Sequence, residues 1–264
     1  AGSAKTTDAL DPLNLTPDQS QFLNSIADLN YRESMFDFMV SRHFRRDYWV
    51  KGARKLNPTE KRDLMRGLHV VLTYPPDAVP RAIPTRHGEA KLSPDVYDPL
   101  LDMLKDFRPH SIAMIEAMME KLGIGFQRVL DALMLLNGKG FIAAAHDGSM
   151  TELIKPKTDA LNLSLMRQAK GGDNTPFLVS PVTGGGIPSW RFEKLICLAI
   201  LEGQETQRDI ASHVWSMISP YGQKLVKDET ILETPDDNLK ELESLANKFI
   251  RERLDAFRGL KIIS

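Results

Sequence analysis

Apolar residues recur at helical spacing near the start of the chain. Four of them lie between Phe22 and Leu29 and follow Thr16 and Pro17, an N-cap residue and a proline suited to the first helical turn. These positions predict a short amphipathic helix, and a second helix is predicted over residues 31–40. The first forty residues are therefore expected to be helical.

Shorter, strand-like runs follow. Aromatic and β-branched residues at 44–50 predict a strand. A capping box from Asn57 to Glu60 predicts a helix that ends near Gly67, and the apolar run 68–74 predicts a buried strand. Four prolines within residues 75–84 predict an extended loop, with a short strand at 89–92 beyond it.

From Ser93 the pattern changes to consecutive helices. They are predicted from Ser93, from Ser111 and over residues 126–136, and a strand at 141–145 follows. Three helices and then a strand is the order of a winged helix. The strands at 89–92 and 141–145 are expected to pair in the small sheet of this module.

The remainder of the chain is predicted to be helical. Helices are expected at about 159–168, 190–201, 204–218 and 235–257, and a glycine-rich loop at 181–188 separates the first of them from the rest. In the last helix, apolar residues from Leu239 to Ile250 share one face.

These elements predict an α+β fold that is mostly helical. We divide it into a connector with a short helix (4–30), a small mixed α/β regulatory module (31–92), a winged-helix-like module (93–150) and a helical carboxy-terminal domain (151–264). Ala1, Gly2 and Ser3 precede these without an initiator methionine and resemble a cloning remnant. We therefore expect the sequence to be part of a longer gene product.

Composition agrees with a globular protein. Of the 264 residues, 42% are hydrophobic and 26% charged, and no apolar run approaches the ~18 residues that span a bilayer. We therefore expect a cytoplasmic protein without a membrane segment. The single cysteine, Cys197, excludes an internal disulfide, and the six histidines show no spacing typical of a metal site.

The most informative segment for function runs from Asp37 to Lys51. It interleaves aromatic residues and arginines with two acids, a mixture typical of interfaces. The candidate docking residues are Asp37, Phe38, Arg42, Phe44, Arg45, Arg46, Asp47, Tyr48, Trp49 and Lys51.

Two interpretations of these residues stay open. In the structural one, the arginines pair with Asp37 and Asp47 or with carbonyls, and the aromatic residues Phe38, Phe44, Tyr48 and Trp49 build a core against the strand near residues 68–72. In the functional one, they grip another domain or a substrate. Alternation along a strand favours the structural role for the inward residues and leaves either Arg46, Tyr48 and Lys51 or the alternate positions between them as the exposed candidates.

This segment closely resembles the opening signature of the methyltransferase regulatory domain, in which an Asp-Phe pair is followed, after a short gap, by Arg-x-Phe-Arg. The pattern falls here on Asp37, Phe38, Arg42, Phe44 and Arg45, and the resemblance continues into residues 56–58 and 66–70.

The resemblance implies the accessory, non-catalytic region of a bacterial class I methyltransferase that uses S-adenosylmethionine. Related enzymes include protein lysine methyltransferases, in which such regions select or gate the substrate. The implied partners are a catalytic methyltransferase domain in the same polypeptide and a protein substrate, with the cofactor expected in the full-length protein.

The chain itself shows no convincing cofactor or catalytic motif. Gly184 to Gly186 follow a possible strand, but no alternating strands and helices surround them, so a hairpin or connector is expected. Cys197 lies in an almost wholly apolar helix, where a thiol behaves as a core residue. We predict no catalytic residue, no metal and no bound cofactor within this chain.

Two alternative functions remain. A winged-helix regulator would bind nucleic acid, but residues 126–136 offer only Gln127 and Arg128 against Asp131, which argues against that partner. A structural adaptor between proteins is the other alternative.

Overall fold

The computed structural model describes residues 2–3, 10–44, 47–48, 51–52, 54, 56–85, 88–146 and 148–263. Helices dominate, and the strands form small sheets, so the predicted α+β, mostly helical class is confirmed.

The α-helices are numbered in chain order. They are α1 (Asp11–Asn14), α2 (Pro17–Asn24), α3 (Leu29–Met39), α4 (Pro58–Arg66), α5 (Pro94–Leu104), α6 (Ile112–Glu120), α7 (Phe126–Gly138), α8 (Gly148–Gln168), α9 (Arg191–Leu201), α10 (Gln207–Ile218), α11 (Pro235–Glu252) and α12 (Leu254–Gly259). Short 3-10 turns lie at Pro76–Ala78 and Ser219–Tyr221.

The strands are numbered in the same way. They are β1 (Gly2–Ser3), β2 (Asp47–Tyr48), β3 (His69–Leu72), β4 (Ala82–Thr85), β5 (Gly88–Lys91), β6 (His110–Ser111), β7 (Ile142–Ala145), β8 (Phe177–Ser180), β9 (Gly185–Pro188), β10 (Val226–Lys227) and β11 (Thr230–Ile231). Four antiparallel pairs form, β1 with β2, β4 with β5, β8 with β9 and β10 with β11, and a three-stranded sheet has the order β6-β3-β7.

The chain divides into two compact units. The first contains residues 1–68, 79–103 and 111–142, and the second contains residues 69–78, 104–110 and 143–264.

Helix starts in the first unit follow the predicted caps. The side chains of Thr16 and Asn57 each accept a hydrogen bond from the backbone amide three residues later. The backbone amides of Thr16 and Asn57 in turn donate to the side chains of those residues, which completes a capping box. Ser111 accepts a hydrogen bond from the Met114 amide at the start of α6. The predicted beginnings of these helices are confirmed.

An ionic cluster joins α4 to α6 in the first unit. Arg62 and Arg66 both donate hydrogen bonds to the buried carboxylate of Glu116, with 2.6 Å between Arg66 Nε and Glu116 Oε2. The Arg62 guanidinium also lies 4.7 Å from the centre of the Phe126 ring. The hydrogen bond from Arg66 lowers the pKa of Glu116, burial opposes this, and Arg62 adds to the lowering.

The strand pairing predicted for the winged-helix-like module is wrong. Strand β5 pairs with β4, in a register that sets Ile83 opposite Ala90, whereas β7 lies in the sheet β6-β3-β7. Residues 82–84, which we assigned to the proline-rich loop, belong to β4. A two-stranded sheet consists of edge strands, and an edge strand tolerates a proline such as Pro84.

The second unit has a large apolar core built by α9, α10 and α11. Leu195, Leu198, Val214 and Phe249 are among its buried members. Helix α9 begins close to its predicted start, whereas α8 begins at Gly148, well before the predicted residue 159. The predicted hairpin at the glycines is confirmed, because β8 and β9 pair around Gly184.

Asn162 of α8 holds the β8-β9 hairpin in place. Its side-chain oxygen accepts a hydrogen bond from the Val179 amide at 2.7 Å, and its side-chain nitrogen donates to the Val179 carbonyl at 2.8 Å. The buried Asn162 side chain thereby finds partners on a strand that already pairs on its other edge.

Arg253 interrupts the long helix that was predicted over residues 235–257. Helix α11 ends at Glu252, and α12 begins at Leu254. The buried Arg253 guanidinium donates to the carbonyl of Thr73 at 3.2 Å and to that of Pro188 at 2.9 Å. The single predicted helix is therefore wrong at this point.

Arg253 makes further contacts with an acidic and two aromatic side chains. Its Nε lies 3.4 Å from Glu193 Oε1, and its guanidinium lies 4.0 Å from the ring centre of Tyr74 and 4.8 Å from that of Phe257. One buried cation therefore contacts α9, α12, the hairpin and the segment after β3.

A second buried cation lies in the same unit. The ammonium of Lys194, on α9, donates to the carboxylate of Asp173 and to the carbonyl of Thr175. These partners fix the loop before β8 against α9, because a buried ammonium without acceptors would be strongly unfavourable.

We predict that Glu116→Gln destabilises the first unit by about 2 kcal/mol at pH 7, because it removes the ionised acceptor of two charged hydrogen bonds. The folded-state pKa of Glu116 lies below 4.5, so its contribution is complete above pH 4.5 and is lost as the pH falls through that lower pKa. The difference in urea unfolding free energy between Glu116→Gln and wild type should therefore shrink below pH 4.5. Glu120→Gln, at an exposed position of the same helix, is the control, and an equal loss there would contradict the prediction.

We predict that Arg253→Met lowers the free energy of unfolding by about 3 kcal/mol, because the carbonyls of Thr73 and Pro188 lose their hydrogen-bond donor and the carboxylate of Glu193 loses its ion-pair partner. The measurement is a urea unfolding curve. Arg251→Met, at an exposed position two residues earlier, should change it by less than about 0.5 kcal/mol. A loss as small for Arg253→Met would show that the buried cation contributes little.

Candidate functional site

Helix α3 carries the first residues of the predicted docking segment. It begins at the N-cap Asp28, whose side chain accepts a hydrogen bond from the Tyr31 amide at 2.8 Å. Phe36 and Val40 face inward and join Leu15 and Leu23 in a small buried cluster. This cluster fixes which side of α3 faces outward.

A Schellman motif ends α3 and sets the direction in which the chain leaves it. The Ser41 amide donates to the Phe38 carbonyl at 3.1 Å, and the Arg42 amide donates to the Asp37 carbonyl at 2.9 Å. Ser41 has a φ of 41°, the left-handed conformation in which glycine is usual.

Arg42 and Asp37 form the ion pair that the sequence predicted. Arg42 Nη1 lies 3.0 Å from Asp37 Oδ1, and the guanidinium lies 5.1 Å from the ring centre of Phe36. The pair ties the residue after the helix to its last turn, so Arg42 has a structural role here.

Phe38 and Phe44 do not build a core. Their side chains are 80% and 93% exposed, and Tyr31 is also exposed, two helical turns before Phe38 on the same side of α3. The predicted core role of these two phenylalanines is wrong. Phe38 is excluded because the opposite face of α3, with Phe36 and Val40, packs in the cluster, and Phe44 lies beyond the end of the helix. Large apolar side chains left in water are typical of surfaces that bind a partner.

A shallow groove lies beside Phe38. It has a volume of about 500 Å³, and its walls are Ser34, Asp37, Phe38, Ser41, Arg42 and His43. We call these six residues, together with Phe44, the motif surface. Sequence reasoning missed Ser34, Ser41 and His43. Ser34 and Ser41 lie four residues before and three residues after Phe38, and this spacing could have identified them as its neighbours.

The rest of the predicted docking residues are described only in part. Arg45, Arg46 and Trp49 lie outside the described residues, as do the side chains of Asp47 and Tyr48. The backbone of Asp47–Tyr48 pairs with Gly2–Ser3, and Lys51 is exposed. The docking role of all these positions stays a prediction.

The chemistry of the described residues is limited. Among them, no group of three or more His, Cys, Asp or Glu side chains could hold a metal ion. Cys197 is buried in α9, and burial raises the pKa of its thiol well above the ordinary value, which confirms its predicted place in the core. Gln127 of α7 donates to Asp131 at 2.8 Å, so this side chain is engaged within its own helix.

Within the described ranges, every helix is too short or too polar to cross a bilayer.

Two comparisons with known proteins bear on this surface. The chain is 30% identical over 261 residues, or 99% of its length, to the uncharacterized protein sll1526 of Synechocystis sp., of which it covers 51%. It therefore spans about half the length of this relative. Residues 1–51 match the family described as predicted methyltransferase regulatory domain, and this match contains the whole segment from Asp37 to Lys51. The resemblance seen in the sequence is thereby confirmed: residues 1–51 carry a predicted methyltransferase regulatory domain match.

Proposed function

We propose that this chain is the accessory, non-catalytic region of an S-adenosylmethionine-dependent methyltransferase and that the motif surface binds the catalytic domain of the same protein. The observation that carries the proposal is the exposure of Phe38 and Phe44 within the residues that match the family.

The energetics of exposed aromatic residues support a docking role. A phenylalanine buries a large apolar area when it enters a partner, and aromatic residues are among those enriched in the centres of interfaces. Phe38 projects from a helix whose opposite face is anchored, so little freedom remains to be lost when it binds. The two phenylalanines thus have the character of binding hot spots.

The groove beside Phe38 supplies the polar complement. Ser34 and His43 line it with groups that can donate or accept hydrogen bonds, and the Asp37 and Arg42 pair holds its wall in place. A partner that fills the groove would combine apolar contact with a few directional hydrogen bonds.

The division of labour in the whole protein is part of the proposal. The relative is about twice as long as this chain, which leaves room for a catalytic domain beside an accessory region of this kind. We place S-adenosylmethionine and methyl transfer in that domain, and we assign to this chain the recognition of a protein substrate, whose lysine side chains would accept the methyl group.

In the test, the catalytic part of the full-length protein is produced separately. It is then titrated with the 264-residue chain, and binding is measured by calorimetry. Phe38→Ala and Phe44→Ala should each weaken the complex by about tenfold or more, the effect expected of a hot spot. Both side chains are exposed, so the free chain should melt as the wild type does.

Trp190→Ala is the matched control. Trp190 is an equally exposed aromatic residue, 74% accessible, but it lies outside the residues that match the family. Its helix start keeps the hydrogen bond from the Trp190 amide to Glu193 in the alanine variant. Unchanged affinity of Phe38→Ala and Phe44→Ala, or a full-length protein without a methyltransferase domain, would contradict the proposal.

A further inference from the structure

The second unit contains a cavity of about 890 Å³ that the proposed function does not use. Its walls come from the segment after α5, the first turn of α8 and the end of α12, all within the second unit. The volume falls in the range of pockets that hold small organic ligands.

One wall depends on a close approach of two backbones. Phe107 has a φ of 54°, and a Cβ added to Gly259 would lie 2.3 Å from the Phe107 Cβ and 2.8 Å from its carbonyl oxygen. Only glycine at 259 lets the segment after α5 lie directly against α12. The shape of this wall is therefore set by the backbone and not by side chains alone.

Cations from two of these elements line the cavity. Lys105 and Arg108 come from the segment after α5, Arg258 comes from the end of α12, and Lys261 follows that helix. Lys261 also pairs with Glu152, whose side chain is exposed. Permanent positive charges from separate parts of the chain thus converge on one space.

Two carboxylates also line the cavity, and one of them is engaged locally. Asp106 Oδ1 accepts a hydrogen bond from the Arg108 amide at 3.0 Å and lies 3.0 Å from His110 Nε2. Burial acts to raise the pKa of Asp106, but these hydrogen bonds outweigh it and lower the pKa. Asp255 is the other carboxylate, and it can accept hydrogen bonds from a ligand hydroxyl.

The first turn of α8 adds donors to the cavity. Gly148 and Thr151 line it, and Thr151 is only 3% exposed. The amides at the start of a helix favour an anion through the helix dipole, and here they lie on the same cavity as the cations.

We propose that this cavity binds a phosphorylated small molecule of about mononucleotide size. Arg108, Arg258 and the start of α8 would hold the phosphate, and Asp255 would bind hydroxyl groups. The volume exceeds that of a phosphate ion, and Phe107 and Pro109 provide an apolar wall for the organic part. The carboxylates on the same wall disfavour an extended polyanion such as a nucleic acid.

The test is a calorimetric titration of the 264-residue chain with adenosine 5′-monophosphate and ribose 5-phosphate, and with adenosine as the probe that lacks phosphate. At least one phosphorylated probe should bind about tenfold or more tightly than adenosine, since charged hydrogen bonds carry the affinity. Arg258→Gln should weaken that binding by about tenfold or more, and added salt should weaken it further.

Two further variants keep the outcome clear. Arg108→Gln removes a cation from a different wall and should have a similar effect, which covers the case in which Arg258→Gln fails to fold. Arg251→Gln, an exposed arginine of α11 outside the cavity, should bind as the wild type does. The proposal is overturned if neither phosphorylated probe binds, if adenosine binds equally well, if Arg251→Gln has the same effect as the cavity variants, or if a short DNA duplex binds more tightly than both probes.

Discussion

The packing of the second unit depends on the guanidinium of Arg253. A buried cation is tolerated only where acceptors or an opposite charge compensate it. Here the carbonyls of Thr73 and Pro188 accept hydrogen bonds, and the carboxylate of Glu193 forms an ion pair. The planar fork reaches several acceptors while aromatic rings lie near the guanidinium, which a lysine ammonium could not match. The interruption between α11 and α12 belongs to the same arrangement, because Arg253 itself departs from helical geometry at a φ of −132°.

The local parts of this fold could be predicted from sequence, and the long-range parts could not. Helix starts at Thr16, Asn57 and Ser111 were predicted because a cap and its partner lie within three residues. The β4-β5 hairpin is local and was missed because the prolines of residues 75–84 concealed β4. The place of β7 beside β3 joins strands far apart in the sequence, and no local pattern shows it. Buried cations leave no local pattern either, since Lys194 donates to acceptors 21 and 19 residues away and Arg253 to acceptors 65 and 180 residues away.

The same distinction applies to the motif surface. Its composition indicated an interface. The predicted helix over residues 31–40 was also enough to show on which side of the helix Phe38 lies. Phe38 lies two residues from both Phe36 and Val40, which is about 200° around a helix of 3.6 residues per turn. A core on the side of Phe36 therefore leaves Phe38 outside. The aromatic residues on both sides of residue 40 were interpreted as one core-forming group, although Phe38 belongs to the predicted helix and only residues 44–50 to the predicted strand.

The end of α3 has a kinetic consequence for the docking that we propose for the motif surface. Two main-chain hydrogen bonds and the left-handed conformation of Ser41 hold the turn after the helix. The turn therefore has its shape before any partner binds. Binding to a preorganised surface loses entropy mainly in the side chains that contact the partner, at about 0.5–1.5 kcal/mol for each rotamer-rich one. The encounter then resembles the docking of rigid bodies, in which differences in affinity between variants arise in dissociation more than in association.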